Sequence, residues 1–164
     1  HPDPYKKEET LYRLAIPYHN MGDFKAGADT FARILNAFPE SRYRAEAQLR
    51  IGDYLSREAN DPVKAIEAYE AALQIDSKGT YAGRALKGIA LTRYETKDYD
   101  GAAAMFLQLM NDFPQEKLNE QSYRWAAQHL LAGQLWDDAL TALNALRTAF
   151  PDYPNSHRVR RLIR

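Results

Sequence analysis

The chain contains no cysteine, which excludes disulfide bonds and cysteine-ligated metal sites and suits an oxidising compartment. It has no excess of either charge, with 22 Lys and Arg against 22 Asp and Glu. The overall charge therefore favours neither a nucleic acid nor a membrane surface as partner. No apolar run approaches the roughly 20 residues that a transmembrane helix needs. We expect no nucleic-acid partner and no membrane insertion for this part of the protein.

Glycine and proline are also few, at eight each, and most of them stand at the ends of segments. The dipeptide Phe-Pro recurs with spacings of 75 and 37 positions, which is a period of about 37 with one copy missing. A fixed period in this range indicates a repeat architecture in which neighbouring units stack to bury their apolar faces. The three copies are Phe38-Pro39, Phe113-Pro114 and Phe150-Pro151.

Every segment with periodic apolar residues predicts a helix, and no segment alternates in the manner of a strand. Short turns join the helices in pairs, for which the acids Asp23, Asp61, Asp98 and Asp137 are the predicted second-helix caps. Pro17 falls inside the first helix and predicts a kink, the alternative being that the helix ends there. The predicted units span about 3–39, 40–77, 78–114 and 115–151, followed by a partial helix at 155–164.

The units share a small residue in the first helix, an acidic turn and a small residue in the second helix. Four positions later stands an aromatic residue, except in the fourth unit, which has Leu143. In the second unit these are Gly52, Asp61, Ala65 and Tyr69. The pattern resembles the tetratricopeptide repeat. The resemblance implies an all-α fold: one domain over 1–164 that forms a right-handed α-solenoid of four antiparallel helix pairs, with a partial fifth.

The units are 37 or 38 residues long, whereas the usual tetratricopeptide unit has 34. This longer unit looks like the repeats of bacterial envelope proteins, such as the outer-membrane-protein assembly lipoprotein and the Tol-Pal accessory protein. The resemblance implies the bacterial periplasm or cell envelope, with the cytoplasm as the alternative. Because the sequence opens His1-Pro2-Asp3-Pro4 without Met, we interpret it as a fragment of a longer protein.

The sequence predicts no enzyme. Its four histidines lie in different units and form no His-x-x-x-His pair, so a metal site would need distant residues to converge. No glycine-rich loop follows a strand, and no pair of acids suggests the pocket that acid–base catalysis needs. We therefore expect no catalytic residue, no metal and no cofactor.

Charge divides unevenly between the two sets of helices. The first helices of the four units are each net positive, whereas the second helices taken together are net negative. In the family that the chain resembles, the first helices line the concave face, so the resemblance implies a basic groove. Such a groove would bind a protein or peptide partner, with an acidic segment or an anionic polymer as candidates. The candidate partner-binding residues are Tyr12, Arg13, His19, Arg50, Asp53, Arg57, Arg84, Arg93, Arg124 and Gln128.

Two interpretations of these charges stay open. In the first, the chain is a non-enzymatic scaffold that binds a partner segment in the concave groove. In the second, acids such as Asp53, three residues after Arg50 and four before Arg57, neutralise the arginines along their own helix. The chain would then be a structural spacer or oligomerisation segment of a larger envelope or secretion protein, able to self-associate through its ends.

Overall fold

The computed structural model describes residues 4–116 and 118–151, and over these ranges the chain is helical and contains no strand. The all-α prediction is confirmed. The predicted helix at 155–164 lies outside the described residues. The helices are α1 Pro4–Asn20, α2 Phe24–Ala37, α3 Arg44–Arg57, α4 Pro62–Ile75, α5 Ala82–Glu95, α6 Tyr99–Asp112, α7 Glu120–Ala132 and α8 Trp136–Ala149.

The chain forms two compact units, which meet within α5 between Thr92 and Arg93. In unit 1, α1 packs on α2, α2 on α3, and α3 on α4. In unit 2, α6 packs on α7, and α8 packs on both α7 and α6. This consecutive packing of helix pairs is typical of a tetratricopeptide repeat. The prediction of one domain over 1–164 stays a prediction.

The turn inside each helix pair is built in the same way. The residue before the second helix's cap has a positive φ, between 50° and 84°. The cap's own N–H then donates back to a carbonyl near the end of the first helix, as from Asp98 to Arg93 at 2.9 Å. This closes the first helix in a left-handed C-terminal motif. The four positive-φ residues are Gly22, Asn60, Lys97 and Gln134.

Three of the four predicted caps are confirmed. The side chains of Asp23, Asp61 and Asp98 each accept a hydrogen bond from the backbone N–H three residues on. The predicted cap at Asp137 is wrong, because Leu135 occupies the cap position of α8 and makes no side-chain cap bond. Asp137 lies instead in the first turn of α8, where its charge favours the helix dipole only.

Helix α1 continues through Pro17 to Asn20. The alternative that it ends at the proline is therefore excluded. The N–H of Met21 donates to the carbonyl of Pro17 at 2.9 Å, so the helical hydrogen bonding resumes directly after the proline.

Close packing in unit 1 depends on Tyr69 of α4, which is buried between glycines of α3 and α5. A Cβ placed on Gly52 would lie 2.6 Å from the Tyr69 ring, and one on Gly88 would lie 2.5 Å from it. Both distances are well inside van der Waals contact. The ring therefore fills the space that the two missing side chains leave, and it fixes α3, α4 and α5 against one another.

Candidate functional site

A buried carboxylate in unit 1 organises side chains from α1, from α3 and from the residue that precedes α5. Glu46 of α3 is only 3% exposed. Its Oε2 accepts hydrogen bonds from the hydroxyls of Tyr12 and Tyr81, both at 2.8 Å. Its Oε1 accepts a hydrogen bond from Arg50 Nη2 at 3.1 Å. A buried charge is tolerated only when it is paired and hydrogen-bonded, and this one is. We call Glu46, Tyr12, Tyr43, Arg50 and Tyr81 the Glu46 cluster.

The tyrosines of this cluster are held as hydrogen-bond donors. Burial, and then the hydrogen bond to Glu46, raises the pKa of Tyr12 far above its ordinary value. The same two causes raise the pKa of Tyr81 to about 12. The Tyr12 ring also stacks on Tyr43, with 3.8 Å between ring centroids and 8° between planes. Tyr12 is therefore fixed by both a hydrogen bond and a stacked ring.

A second polar group joins α3, α4 and α5. Asp53 Oδ1 accepts a hydrogen bond from the Tyr69 hydroxyl at 3.0 Å. Its Oδ2 lies 3.7 Å from Arg84 Nη2, a distance at which the ion pair is loose. Burial and the charge of Asp53 raise the pKa of Tyr69, so this hydroxyl too remains a donor.

The pKa of His19 is influenced by several charged side chains around it. Its ring meets the edge of Phe24, with centroids 4.8 Å apart. Burial is the first cause that lowers the pKa of His19, and the positive charges of Arg50, Arg84 and Arg57 lower it further. Only Asp53 acts in the opposite direction. Three arginines thus outweigh one aspartate at this point. We call His19, Asp53, Arg57, Arg84 and the Glu46 cluster together the first-helix face.

Six of the ten predicted site residues are brought together on this face: Tyr12, His19, Arg50, Asp53, Arg57 and Arg84. Arg13 is exposed and pairs with Glu9 at 2.7 Å. Sequence reasoning missed Glu46 and Tyr43, and it did not include Tyr81 among the candidate residues. Glu46 did carry a local signal, because it stands between Ala45 and Ala47 in the buried stripe of α3 and four residues before Arg50.

The remaining predicted residues lie in unit 2. Arg93 pairs with the capping carboxylate of Asp98 at 2.6 Å. Arg124 lies 3.6 Å from Glu120 on its own helix, and Gln128 is exposed. None of these three residues joins a polar cluster comparable to that of Glu46 within the described part of unit 2.

The arginines are more neutralised than the helix charges suggest. Arg13, Arg50, Arg84, Arg93 and Arg124 each have a carboxylate within 3.7 Å. Surface pairs of this kind contribute little and exchange partners at small cost. Arg50 differs because its side chain is 15% exposed and Glu46 is deeply buried. Arg57 lies over the Phe24 ring at 5.8 Å and stays exposed.

Neither a metal site nor a membrane span emerges from the described residues. Within 4–116 and 118–151, no group of three or more His, Asp or Glu side chains is placed to hold a metal ion. Over the same ranges, no helix combines the length and apolar character needed to cross a bilayer.

Two segments, 9–41 and 85–116, match the family model described as Tetratricopeptide repeat. These matches support the tetratricopeptide repeat family. Proteins of this family are generally non-catalytic scaffolds for protein–protein interaction. No curated protein matches the chain.

Solved structures show the same fold. One is that of pilF from Pseudomonas aeruginosa, with a TM-score of 0.63 and 19% identity over 98% of this chain and 69% of that one. A MamA structure has a TM-score of 0.67 and 14% identity, and the match covers 93% of this chain and 78% of that one. A tetratricopeptide repeat protein from Parabacteroides merdae has a TM-score of 0.72 and 13% identity, and the match covers 96% of this chain and 59% of that one. At these identities the likeness shows the fold alone.

Proposed function

We propose that this chain is a non-enzymatic scaffold whose first-helix face binds an acidic segment of a partner protein. The repeat family supports the scaffold role. The sign of the partner rests on the geometry of two arginines, since Arg57 is exposed over the Phe24 ring and Arg84 lies 3.7 Å from its nearest carboxylate, Asp53. The positive charges that help to lower the pKa of His19 have the same sign.

The Glu46 cluster would reduce the side-chain entropy that is lost on binding. Because Tyr12, Tyr81 and Arg50 are already fixed on one carboxylate, they lose little side-chain entropy when a partner arrives. Tyrosine also offers a large contact area with a polar tip. The face is therefore organised before any partner binds.

The charges that remain for a partner are those of Arg57 and Arg84. Arg57 is exposed and stacks on a ring, while Arg84 is 38% exposed and only loosely paired with Asp53. A carboxylate of the partner can replace the 3.7 Å contact with a closer, bidentate one. Burial first, and then the nearby arginines, lower the pKa of His19, and an acidic side chain of the partner would oppose the effect of the arginines.

The test is a titration of a fluorescein-labelled synthetic peptide rich in Glu and Leu, followed by anisotropy. We expect saturable binding that weakens as salt is added, because screened charges supply much of the attraction. The double variant Arg57→Glu/Arg84→Glu should bind at least about tenfold more weakly. Its matched control, Lys25→Glu/Arg33→Glu, reverses two exposed charges on α2 and should keep the wild-type affinity.

Two outcomes would count against the proposal. Equal losses in both double variants would mean diffuse electrostatics without a site. Absence of binding by the wild-type chain would favour the spacer or oligomerisation role. The within-helix pairs Arg13–Glu9 and Arg50–Glu46 are the observation that keeps that second role open.

A cell-envelope location stays a prediction that rests on the unit length and on the absence of cysteine. Self-association through the ends also stays a prediction.

A further inference from the structure

Unit 2 carries a groove that the first-helix face does not involve. It runs along α6, between that helix and the segment where α7 ends and α8 begins, with a volume of about 490 Å³. Its floor is apolar, formed by Ala103, Ala104 and Leu107 of α6 together with Leu130 and Leu135. It extends from Asp100 to Asp112, a rise of about 18 Å in a helix. We call it the α6 groove.

The rim of the α6 groove is acidic. Asp100, Asp112 and Asp138 all line it, and no lining residue is Lys or Arg. The one basic group in the lining is His129, whose Nε2 lies 2.9 Å from Asp100 Oδ1. The Asp100 side chain is fully exposed, so it can reach a ligand while it keeps this contact. The rim therefore presents negative charge around an apolar floor.

The apolar floor distinguishes α6 from α4. Helix α4 has the same length and begins 37 residues earlier, so each α6 residue has a counterpart on α4. At the positions of Ala104 and Leu107, α4 carries Glu67 and Glu70. The equivalent face of α4 is thus charged where the α6 groove is apolar. The repeat fold does not require an apolar floor at these positions.

Leu135 is a second observation in favour of an apolar binding groove. It stands where the other three pairs have a capping aspartate, with a cap-like φ of −87° and ψ of 72° that match Asp98 closely. It forgoes the cap hydrogen bond and is 52% exposed, so neither capping nor burial accounts for a leucine there. The neighbouring Trp136 is 62% exposed. Leu135 extends the apolar floor at one end of the groove.

We propose that the α6 groove binds a basic amphipathic segment of another protein, helical over about three turns. Leucine-like side chains would lie on Ala104, Leu107 and Leu135, and Lys or Arg side chains would meet the three aspartates. Charge complementarity with the acidic rim selects this occupant. The site is opposite in sign to the first-helix face and independent of it, so one chain would hold two partner segments of opposite charge.

The experiment uses the whole chain and a synthetic 14-residue peptide with a leucine stripe flanked by lysines. Binding is followed by anisotropy of the labelled peptide and by tryptophan fluorescence, since both tryptophans of the chain lie in unit 2. We expect saturable binding to the wild-type chain. A peptide with serine in place of leucine should bind at least tenfold more weakly. Absence of wild-type binding, or equal binding of the serine peptide, would overturn the proposal.

Three variants separate the apolar floor from the acidic rim. Leu107→Glu restores the residue type of α4 and adds a negative charge. If charge attraction alone held the lysine peptide, this variant would bind it more tightly. If the apolar floor holds it, the variant binds it more weakly, and we expect its affinity to fall at least tenfold. Asp112→Asn/Asp138→Asn should also weaken binding about tenfold, while the control Asp29→Asn/Glu67→Gln in unit 1 leaves it unchanged. Tighter binding by Leu107→Glu would refute the groove.

Leu135→Asn guards against loss of binding through unfolding. Asparagine is a good cap residue and carries no charge. This variant should unfold at a higher urea concentration than the wild type and yet bind the lysine peptide several-fold more weakly. Unchanged affinity would exclude Leu135 from the site. The double variant Arg57→Gln/Arg84→Gln, which adds no negative side chain, should bind the lysine peptide as the wild type does, so failure of the first-helix site and failure of the α6 groove are distinguishable.

Discussion

A methyl group added at Gly88 meets the ring of Tyr69. The new Cβ would lie 2.5 Å from Tyr69 Cζ, about 1 Å or more inside an ordinary contact between carbon atoms. The ring cannot retreat, because Gly52 approaches it equally closely in the native structure. Its hydroxyl is also held by Asp53 at 3.0 Å. Gly88→Ala must therefore displace a side chain that is only 3% exposed.

Two opposing terms set the size of the effect. Overpacking of a core costs typically about 1–3 kcal/mol, and replacing glycine by alanine inside a helix gains about 1 kcal/mol. We expect Gly88→Ala to lower the free energy of unfolding by about 1 kcal/mol. In a Tyr69→Leu background the clash is gone and the helix term remains, so the same substitution should be stabilising. The coupling energy between the two positions should then be about 2 kcal/mol.

Urea denaturation followed by circular dichroism measures all four members of this cycle. The matched control is Gly27→Ala in α2, where the new Cβ would meet nothing closer than the backbone nitrogen of His19 at 3.4 Å. That change should be neutral or stabilising by up to about 1 kcal/mol. If Gly88→Ala stabilises the wild-type chain, or if the coupling is near zero, the packing of Tyr69 between the two glycines is refuted.

The other predictions concern single positions. Leu135→Asn should raise the free energy of unfolding by about 1 kcal/mol, measured by urea denaturation. Because the pKa of His19 is lowered below 6.5 in the folded state, the unfolded chain binds more protons there, so stability falls as the pH drops through 6.5. His19→Gln should reduce that pH dependence, and an identical profile would contradict the assignment. Ala65→Leu should cost about 1–3 kcal/mol, whereas Lys64→Ala stays within about 0.5 kcal/mol.

Local signals were sufficient for the helix pairs. The carboxylates of Asp23, Asp61 and Asp98 mark helix starts because capping acts over three residues, a range that is visible in the sequence. The cap of the fourth pair was predicted wrongly because the same local signal was used there. Asp137 follows a turn and looks like a cap, but the spacing of 37 residues puts Leu135 in that position. The repeat register, rather than the nearest acid, decides where the helix begins.

The Glu46 cluster could not be predicted in the same way. Tyr12 and Tyr81 lie 34 residues before and 35 residues after Glu46, and nothing local to any of the three indicates that they meet. Each contact spans about one repeat. The repeat period thus indicates which residues could contact Glu46, but only when it is also known which face of each helix they occupy. Without that register, Glu46 is one acid on a positively charged helix.

The same limit explains why net charge described the face poorly. Helix by helix, the first helices are positive, yet Arg50 is committed to a buried carboxylate and Arg84 is shared with Asp53. At His19 the charges of three arginines act on the ring in one direction and that of one aspartate in the other. In the α6 groove three aspartates on two helices surround an apolar floor. Binding specificity in such a fold therefore depends on which charges the packing leaves available, and that is decided by contacts one repeat apart.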